Sequence, residues 1–365
     1  MPLQQDVIEQ LEDAFARRDV GRRTETLQRI TDLFVSTASS HSAEQVELFD
    51  EVMRRLLVEL ETSGRAAYGQ RMAKIADAPP AVMRALALDD ALEVAAPVLQ
   101  HSEGLEEEVL VESAKTKGQG HLMAISRRKR LAEAVTDVLV ERGDSQVALS
   151  TAQNPGAQFS DFGFSTLVKR SQEDDDLAIT VWSRPEIPRQ HQLHLFDRAS
   201  EAVRAKFEFA DPRKAALIRG MVAHASDQIQ TKARNIDGRY AAARAHVEEL
   251  KAAGRLDEGQ LATFARARNF DAAAVALSLM ADLPIGLVER AIVNERPEQV
   301  FVLTKAIGLT WETTEAILRL QAGPSGKSRH DLEQCRAAFA RLQAVTATKA
   351  LSFYRLREKA AGSAG

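Results

Sequence analysis

The chain reads as an all-α protein: a solenoid of stacked helical repeats followed by a C-terminal helical region. Three observations predict this. The apolar phrases Met123-Ala124-Ile125-Ser126, Val147-Ala148-Leu149-Ser150 and Leu177-Ala178-Ile179-Thr180 begin 24 and 30 residues apart, inside the roughly 20–50 residue period of stacked repeats. The second and third phrases each follow an acidic residue by three positions (Asp144, Asp174) and reach a proline eight positions after their first residue (Pro155, Pro185). Short amphipathic segments recur around them, with little of the strict alternation that marks strands. Helices of about ten residues are marginal alone in water, so a series of them implies that each buries its stripe against its neighbours.

Taken in order, Val7, Ile8, Leu11 and Phe15 fall at helical spacing, followed by a second helix with Leu27, Ile30, Leu33 and Phe34. Ser42 with Gln45 reads as a capping box. It leads a helix whose stripe is Val46, Phe49, Met53, Leu56, Leu57 and Leu60, with Gly64 as its expected stop. Asp77-Ala78-Pro79 starts a helix carrying Val82 and Leu86, and Pro97 should bend or end the next one. Lys117-Gly118-Gln119-Gly120 is a turn, Gly143 a stop, Asp144 a cap and Asn154-Pro155-Gly156 a firm break. Ser160 opens a helix with Phe164 and Leu167.

From about 189 the helices lengthen, and Leu195, Phe196, Ala199, Val203 and Phe207 share one stripe. The expected division is a repeat domain at 1–200 and a C-terminal helical domain at 201–365. Asp282-Leu283-Pro284 repeats the Asp-x-Pro start. After His330, Leu332, Cys335, Phe339 and Leu342 form a seam for a partner helix, from this chain or from a second copy, so a homodimer through the C-terminal helix is an expectation.

Fifty-two acidic against forty-eight basic residues give a net charge of −4, which argues against binding nucleic acid by phosphate neutralisation. The single cysteine, Cys335, excludes an internal disulfide and fits a reducing compartment. The N-terminus lacks the basic start and apolar run of a secretion signal, and no stretch approaches the roughly 18 continuous apolar residues of a membrane helix. The expected location is the cytoplasm, away from membranes.

Few segments carry chemistry. Gly323-Pro324-Ser325-Gly326-Lys327-Ser328 invites a phosphate-loop reading, but Gln321 stands where that motif needs glycine and a helix precedes it instead of a strand. Lys115 to Gly120 could hold an anion at a helix N-terminus, although a repeat array needs such turns everywhere. His191 and His194 lie one helical turn apart with Asp197 one turn on, a weak metal candidate against a solvated polar face. Cys335 reads as a buried, inert thiol. Arg127-Arg128-Lys129-Arg130, with Lys169-Arg170 and Arg184 at comparable places later, could form a positive strip gripping an acidic peptide or a nucleic-acid backbone. The competing reading is a solvated face balanced by Glu106 to Glu108 and Glu173 to Asp176.

Several phrases together resemble a bacterial family catalogued as domain of unknown function 2336, found mainly in alphaproteobacteria. They include Thr31-Asp32-Leu33-Phe34, Glu44 to Asp50, His121 to Ile125, Val135 to Asp144, Gly163 to Val168 and the closing Phe353-Tyr354-Arg355-Leu356-Arg357. The resemblance implies an all-helical, HEAT-like protein and transfers no catalytic residue and no cofactor. The expected function is a non-enzymatic scaffold for a protein or peptide partner, with Arg127, Arg128, Arg170 and Arg184 as its charged contacts. The alternatives are a nucleic-acid binder, since some HEAT-like arrays resemble DNA-repair glycosylases, or a metalloenzyme centred on His191 and His194. A glycosylase needs a basic channel and a group that engages the extruded base, and only 5% of residues are aromatic.

Overall fold

A computed structural model describes residues 20–37, 43–294, 296–321 and 329–362. The helix expected at Val7 to Phe15, the Ser42 cap and the glycine-rich turn from Gly323 to Ser328 lie outside the described residues. Among the described residues every regular element is helical, and the one β pairing is an isolated parallel bridge between Leu131 and Ala157. The chain forms two compact units, Met1–Thr180 and Val181–Gly365. The boundary expected at 200 falls instead inside a long helix, Arg189–Ala210, because the stripe from Leu195 to Phe207 runs through it uninterrupted.

The first unit begins with α1 (Val20–Thr37), α2 (Ala43–Val58), α3 (Thr62–Met72), α4 (Pro80–Ala87) and α5 (Leu92–His101). It continues with α6 (Glu107–Thr116), α7 (Gln119–Ser126), α8 (Glu133–Arg142), α9 (Ser145–Gln153), α10 (Asp161–Arg170) and the start of α11 (Asp175–Trp182). From α2 to α10 each helix packs on the one two places along. Thus α2, α4, α6, α8 and α10 form one row, and α3, α5, α7 and α9 the other. The three apolar phrases sit on α7, α9 and α11, alternate helices of the chain, which is why they resemble one another. Each helix buries a short stripe, such as Met53 and Leu56 of α2, Leu86 of α4, Leu99 of α5 and Leu139 of α8.

Local signals place several ends correctly. Asp144 accepts from the Val147 amide at 2.9 Å, Asp174 from Leu177 at 2.9 Å and Ser160 from Gly163 at 3.0 Å, satisfying amides that a helix N-terminus leaves free. Other ends differ. α2 stops at Val58, not at Gly64, which lies in the first turn of α3; amides of Glu59 and Leu60 close the turn on Leu56 and Leu57. α5 runs through Pro97 to His101. The cap of α4 is not Asp77 but Asp50 of α2, whose carboxylate accepts from the Ala81 and Val82 amides at 2.7 Å each. Asp282 does not start a helix; it ends α16 (Phe270–Ala281) in the left-handed region, at φ 50°.

The C-terminal ends follow one rule. The last carbonyls of a helix have no partner within it, and here a side chain from the end of the helix two places on supplies the donor. Ser113 of α6 reaches Ala87 O of α4 at 3.4 Å. Arg128, just past α7, donates to Leu99 O and Ser102 O at the end of α5, both at 2.5 Å. Arg142 of α8 bonds Ala114 O of α6. Asn154, after α9, donates to Ser126 O at 2.8 Å and Arg128 O at 2.6 Å, at the end of α7. Arg170 of α10 holds Val140 O at 2.7 Å and Gly143 O at 2.6 Å, at the end of α8. These five consecutive rungs span 26 to 30 residues. A guanidinium also complements the negative end of the helix dipole, and charge-assisted bonds are about twice as strong as neutral ones.

The second unit holds α12 (Arg189–Ala210), α13 (Ala215–Ile236), α14 (Gly238–Ala252), α15 (Glu258–Arg266) and the Ala-rich α16. After these come α17 (Ile285–Val293), α18 (Pro297–Ala306), α19 (Trp311–Gln321), α20 (Arg329–Arg341) and α21 (Ala344–Gly362). Its packing is not the two-along ladder. α15 lies on α19, α18 on α21, α14 on α16, and α12 pairs with α13. Ala272 to Leu277 of α16 are buried in its core. The seam on α20 is used within the chain: Leu332, Cys335 and Phe339 are buried, and the Phe339 ring meets Phe301 at 6.0 Å and Trp311 at 5.6 Å.

Arg128→Ala should lower stability by about 2–3 kcal/mol in denaturant unfolding, since it strands two buried carbonyls, whereas Arg127→Ala at the exposed neighbour should change it by less than about 0.5 kcal/mol. Equal effects would contradict the capping role. Gly156→Ala should cost about 1–3 kcal/mol, because a Cβ there would sit 1.9 Å from Lys129 O beside the Leu131–Ala157 bridge; an unchanged melting temperature would show that this approach is not tight.

Candidate functional site

The four arginines read as one positive strip occupy different environments. Arg127 is exposed at the end of α7. Arg128 is buried and Arg170 half-buried, with their guanidiniums on helix-end carbonyls. Arg184 is buried and donates to Glu186 at 2.6 Å. Lys129 pairs with Glu103 at 3.3 Å. In the turn before α7, Lys117 pairs with Asp90, while Gln119 donates to Arg142 O at 3.0 Å and accepts from the Asp144 amide at 2.8 Å. The polar groups around that turn thus link neighbouring helices.

His191 and His194 stand one turn apart near the start of α12, as their spacing predicts. His191 is buried, and burial, with smaller contributions from His194 and Arg268, lowers its pKa to about 4. Asp197 is raised to about 6, again mainly by burial. Among the described residues, no group of three or more His, Cys, Asp or Glu side chains converges closely enough to hold a metal ion. Cys335 is in no disulfide and is buried in the apolar core of the second unit.

The most concentrated buried charge is a cluster that sequence reading misses. Arg189, at the first position of α12, donates to Glu289 of α17 through Nε at 2.6 Å and Nη2 at 3.2 Å. Arg234 of α13 donates to the same carboxylate at 2.7 Å. The Arg189 and Glu289 side chains are 1% and 2% exposed, so this is an interior lock and not a surface pair. Arg189 also lies 5.6 Å from the Tyr240 ring centre, a cation–π distance. Both Glu289 oxygens accept from guanidinium groups, Oε1 from Arg189 and Oε2 from Arg189 and Arg234. The sequence does carry a signal: Glu289 stands beside Val288 on the buried stripe that Ile292 continues, where a carboxylate requires a buried partner.

Two open grooves mark the first unit. One, of about 410 Å³, is lined by Glu107, Glu108, Val111, Glu112 and Lys115 of α6 and Ala134 of α8. The other, of about 480 Å³, lies between Val35 of α1 and the Ala67 to Ile75 stretch around α3. Both lie open between helices two places apart in the chain. Neither gathers a base, a nucleophile and an oxyanion donor, the set that acyl-transfer chemistry requires.

Removing the shared carboxylate should be severe. Glu289→Gln is expected to cost about 3–5 kcal/mol, the penalty for stranding buried charge, while the triple change Arg189→Met, Glu289→Leu and Arg234→Met should recover much of it; a Glu289→Gln protein as stable as the parent would refute the lock.

The buried acids set a pH dependence. Burial raises Asp271 to about 6 from 3.8, so the folded state holds that proton more tightly than the unfolded chain. Its contribution is complete below about pH 4 and is lost as pH rises through about 6. Asp271→Asn should therefore raise the unfolding midpoint at pH 8 and leave it unchanged at pH 4. His191 has the opposite sign: its contribution is complete above about pH 6.5 and is lost as pH falls through about 4.

No curated protein and no solved structure matches the chain. The model of a family described as an uncharacterised protein conserved in bacteria, DUF2336, matches residues 94–352, from α5 to α21, and the chain belongs to that family.

Proposed function

We propose that this protein is a HEAT-like helical-repeat scaffold that binds a protein or peptide partner in the cytoplasm and catalyses no reaction of its own. The observation that carries this reading is the two-row ladder of the first unit, in which successive helices from α2 to α10 pack on the helix two places along. Repeat arrays use such serial faces to engage extended partners. The ionisable groups that could suggest chemistry are engaged in holding the fold: Arg128, Arg142 and Arg170 on carbonyls, and Arg189, Arg234 and Glu289 on one another.

Local charge favours a different partner chemistry from the acidic peptide expected of the arginines. Glu107 and Glu108 are exposed on the groove between α6 and α8, so a segment with basic side chains complements it. A nucleic-acid partner draws no comparable support, since Arg128, Arg170 and Arg184 are engaged inside the fold.

The test is capture from the native host with the full chain as bait, comparing the parent with Glu107→Lys/Glu108→Lys. A partner held by the parent and reduced at least tenfold by the charge reversal supports the reading. A set of captured proteins identical for both baits, or none above background, contradicts it.

A further inference from the structure

We infer that the α12–α13 hairpin is a self-association surface, on which a second copy of this chain docks to complete a four-helix bundle. The two helices are antiparallel neighbours of 22 residues each. Their mutual contact is marked by Ser200 and Ser226, 3.2 Å apart, and by Arg219 reaching Glu208 at 3.8 Å. Those contacts place the i, i+4 row through Ser200, Arg204 and Glu208 against the row through Ile218, Val222 and Ser226. On an α-helix the row one residue earlier lies about 100° away. Because the helices run in opposite directions, these earlier rows turn to the same side of the hairpin.

That side is apolar and uncovered. Val203 and Phe207 are 46% and 58% exposed, and Leu217, Met221 and Ile229 are 60%, 63% and 47% exposed. From 201 to 229 no residue of the hairpin is fully buried, although Arg189, Gln230 and Arg234 at its base are. Scattered exposed apolar residues are ordinary, but a contiguous face on two adjacent helices marks an interaction site.

Gly220 is compatible with another helix packing there. It lies inside α13, bordering the apolar row, and a Cβ built on it would meet nothing within 4 Å. Glycine in a helix interior costs about 1 kcal/mol relative to alanine, and no close neighbour among the described residues requires it. Its missing side chain leaves room for a helix to approach closely from outside.

The occupant that fits is a second copy. A two-fold axis normal to the face sets apolar side chains of one copy on apolar side chains of the other, the self-complementarity an isologous contact needs. The exposed stretch is about 14 residues per helix, hence about 20 Å long and, for two helices, about 20 Å wide. Two such corrugated faces bury on the order of 1,000 Å² in total, the lower limit for a specific interface and suited to a concentration-dependent dimer.

Light scattering after size exclusion, over a concentration series of the full chain, reads this directly. The parent should pass from 40.1 kDa to twice that mass. Phe207→Glu/Met221→Glu and Phe207→Lys/Met221→Lys, each checked for unchanged helicity by circular dichroism, should stay monomeric alone and return to dimer when mixed in equal amounts. A parent that is monomeric throughout, variants that dimerise like the parent, or a mixture that remains monomeric would each overturn the assignment.

Discussion

A short helix leaves its last carbonyls without partners, and the first unit of this protein is organised around meeting that need. Its helices from α4 to α10 are 8 to 10 residues long, so the unpaired ends make up a large part of each one. The donors come from two helices further along the chain: Ser113, Arg128, Arg142, Asn154 and Arg170. Each bond therefore does two things. It completes a helix that is marginal alone, and it sets the spacing between neighbours of one row. Asp50 and Asp137 do the same at N-terminal ends, Asp50 on the amides of α4 and Asp137 on the Ser160 cap of α10, at 2.7 Å.

The second unit solves a different problem. Its long helices have fewer ends per residue, and its most constrained point is interior charge. Glu289 is tolerable where it stands only because two guanidiniums converge on it. That convergence joins the start of α12, the last turns of α13 and the middle of α17. One carboxylate thereby fixes how the hairpin leaves the core, while its distal part is held by fewer contacts and keeps its apolar face exposed.

Much of this was legible in the sequence, and what was not has a physical reason. All-helical character and the alternate-helix repeat follow from local periodicity, which a short window carries. The caps Asp144, Ser160 and Asp174 were readable because donor and acceptor are three residues apart. Arg128 and Arg170, which spacing groups into a charged strip, bind backbone carbonyls 26 to 30 residues away, and carbonyls leave no mark in a sequence. Gly64 has the residue type that often ends a helix, but turn bonds from Glu59 and Leu60 close α2 before it. The seam on α20 was visible, but spacing alone does not say whether the chain or a second copy fills it; Phe301 and Trp311 are its neighbours here. Glu289 lies within an apolar run whose local pattern is that of a buried stripe, and its two arginine partners are 55 and 100 residues away.

Arg128, Arg142 and Arg170 thus serve the backbone of neighbouring helices. The central claim is that a rung joins helices two apart and bypasses the helix between them. Native-state hydrogen exchange, read by mass spectrometry on the Arg170→Ala protein, tests this most directly. The account predicts that α8 and α10, the two helices Arg170 connects, lose protection together while α9 keeps most of its own; loss confined to α10, or greatest in α9, would contradict it.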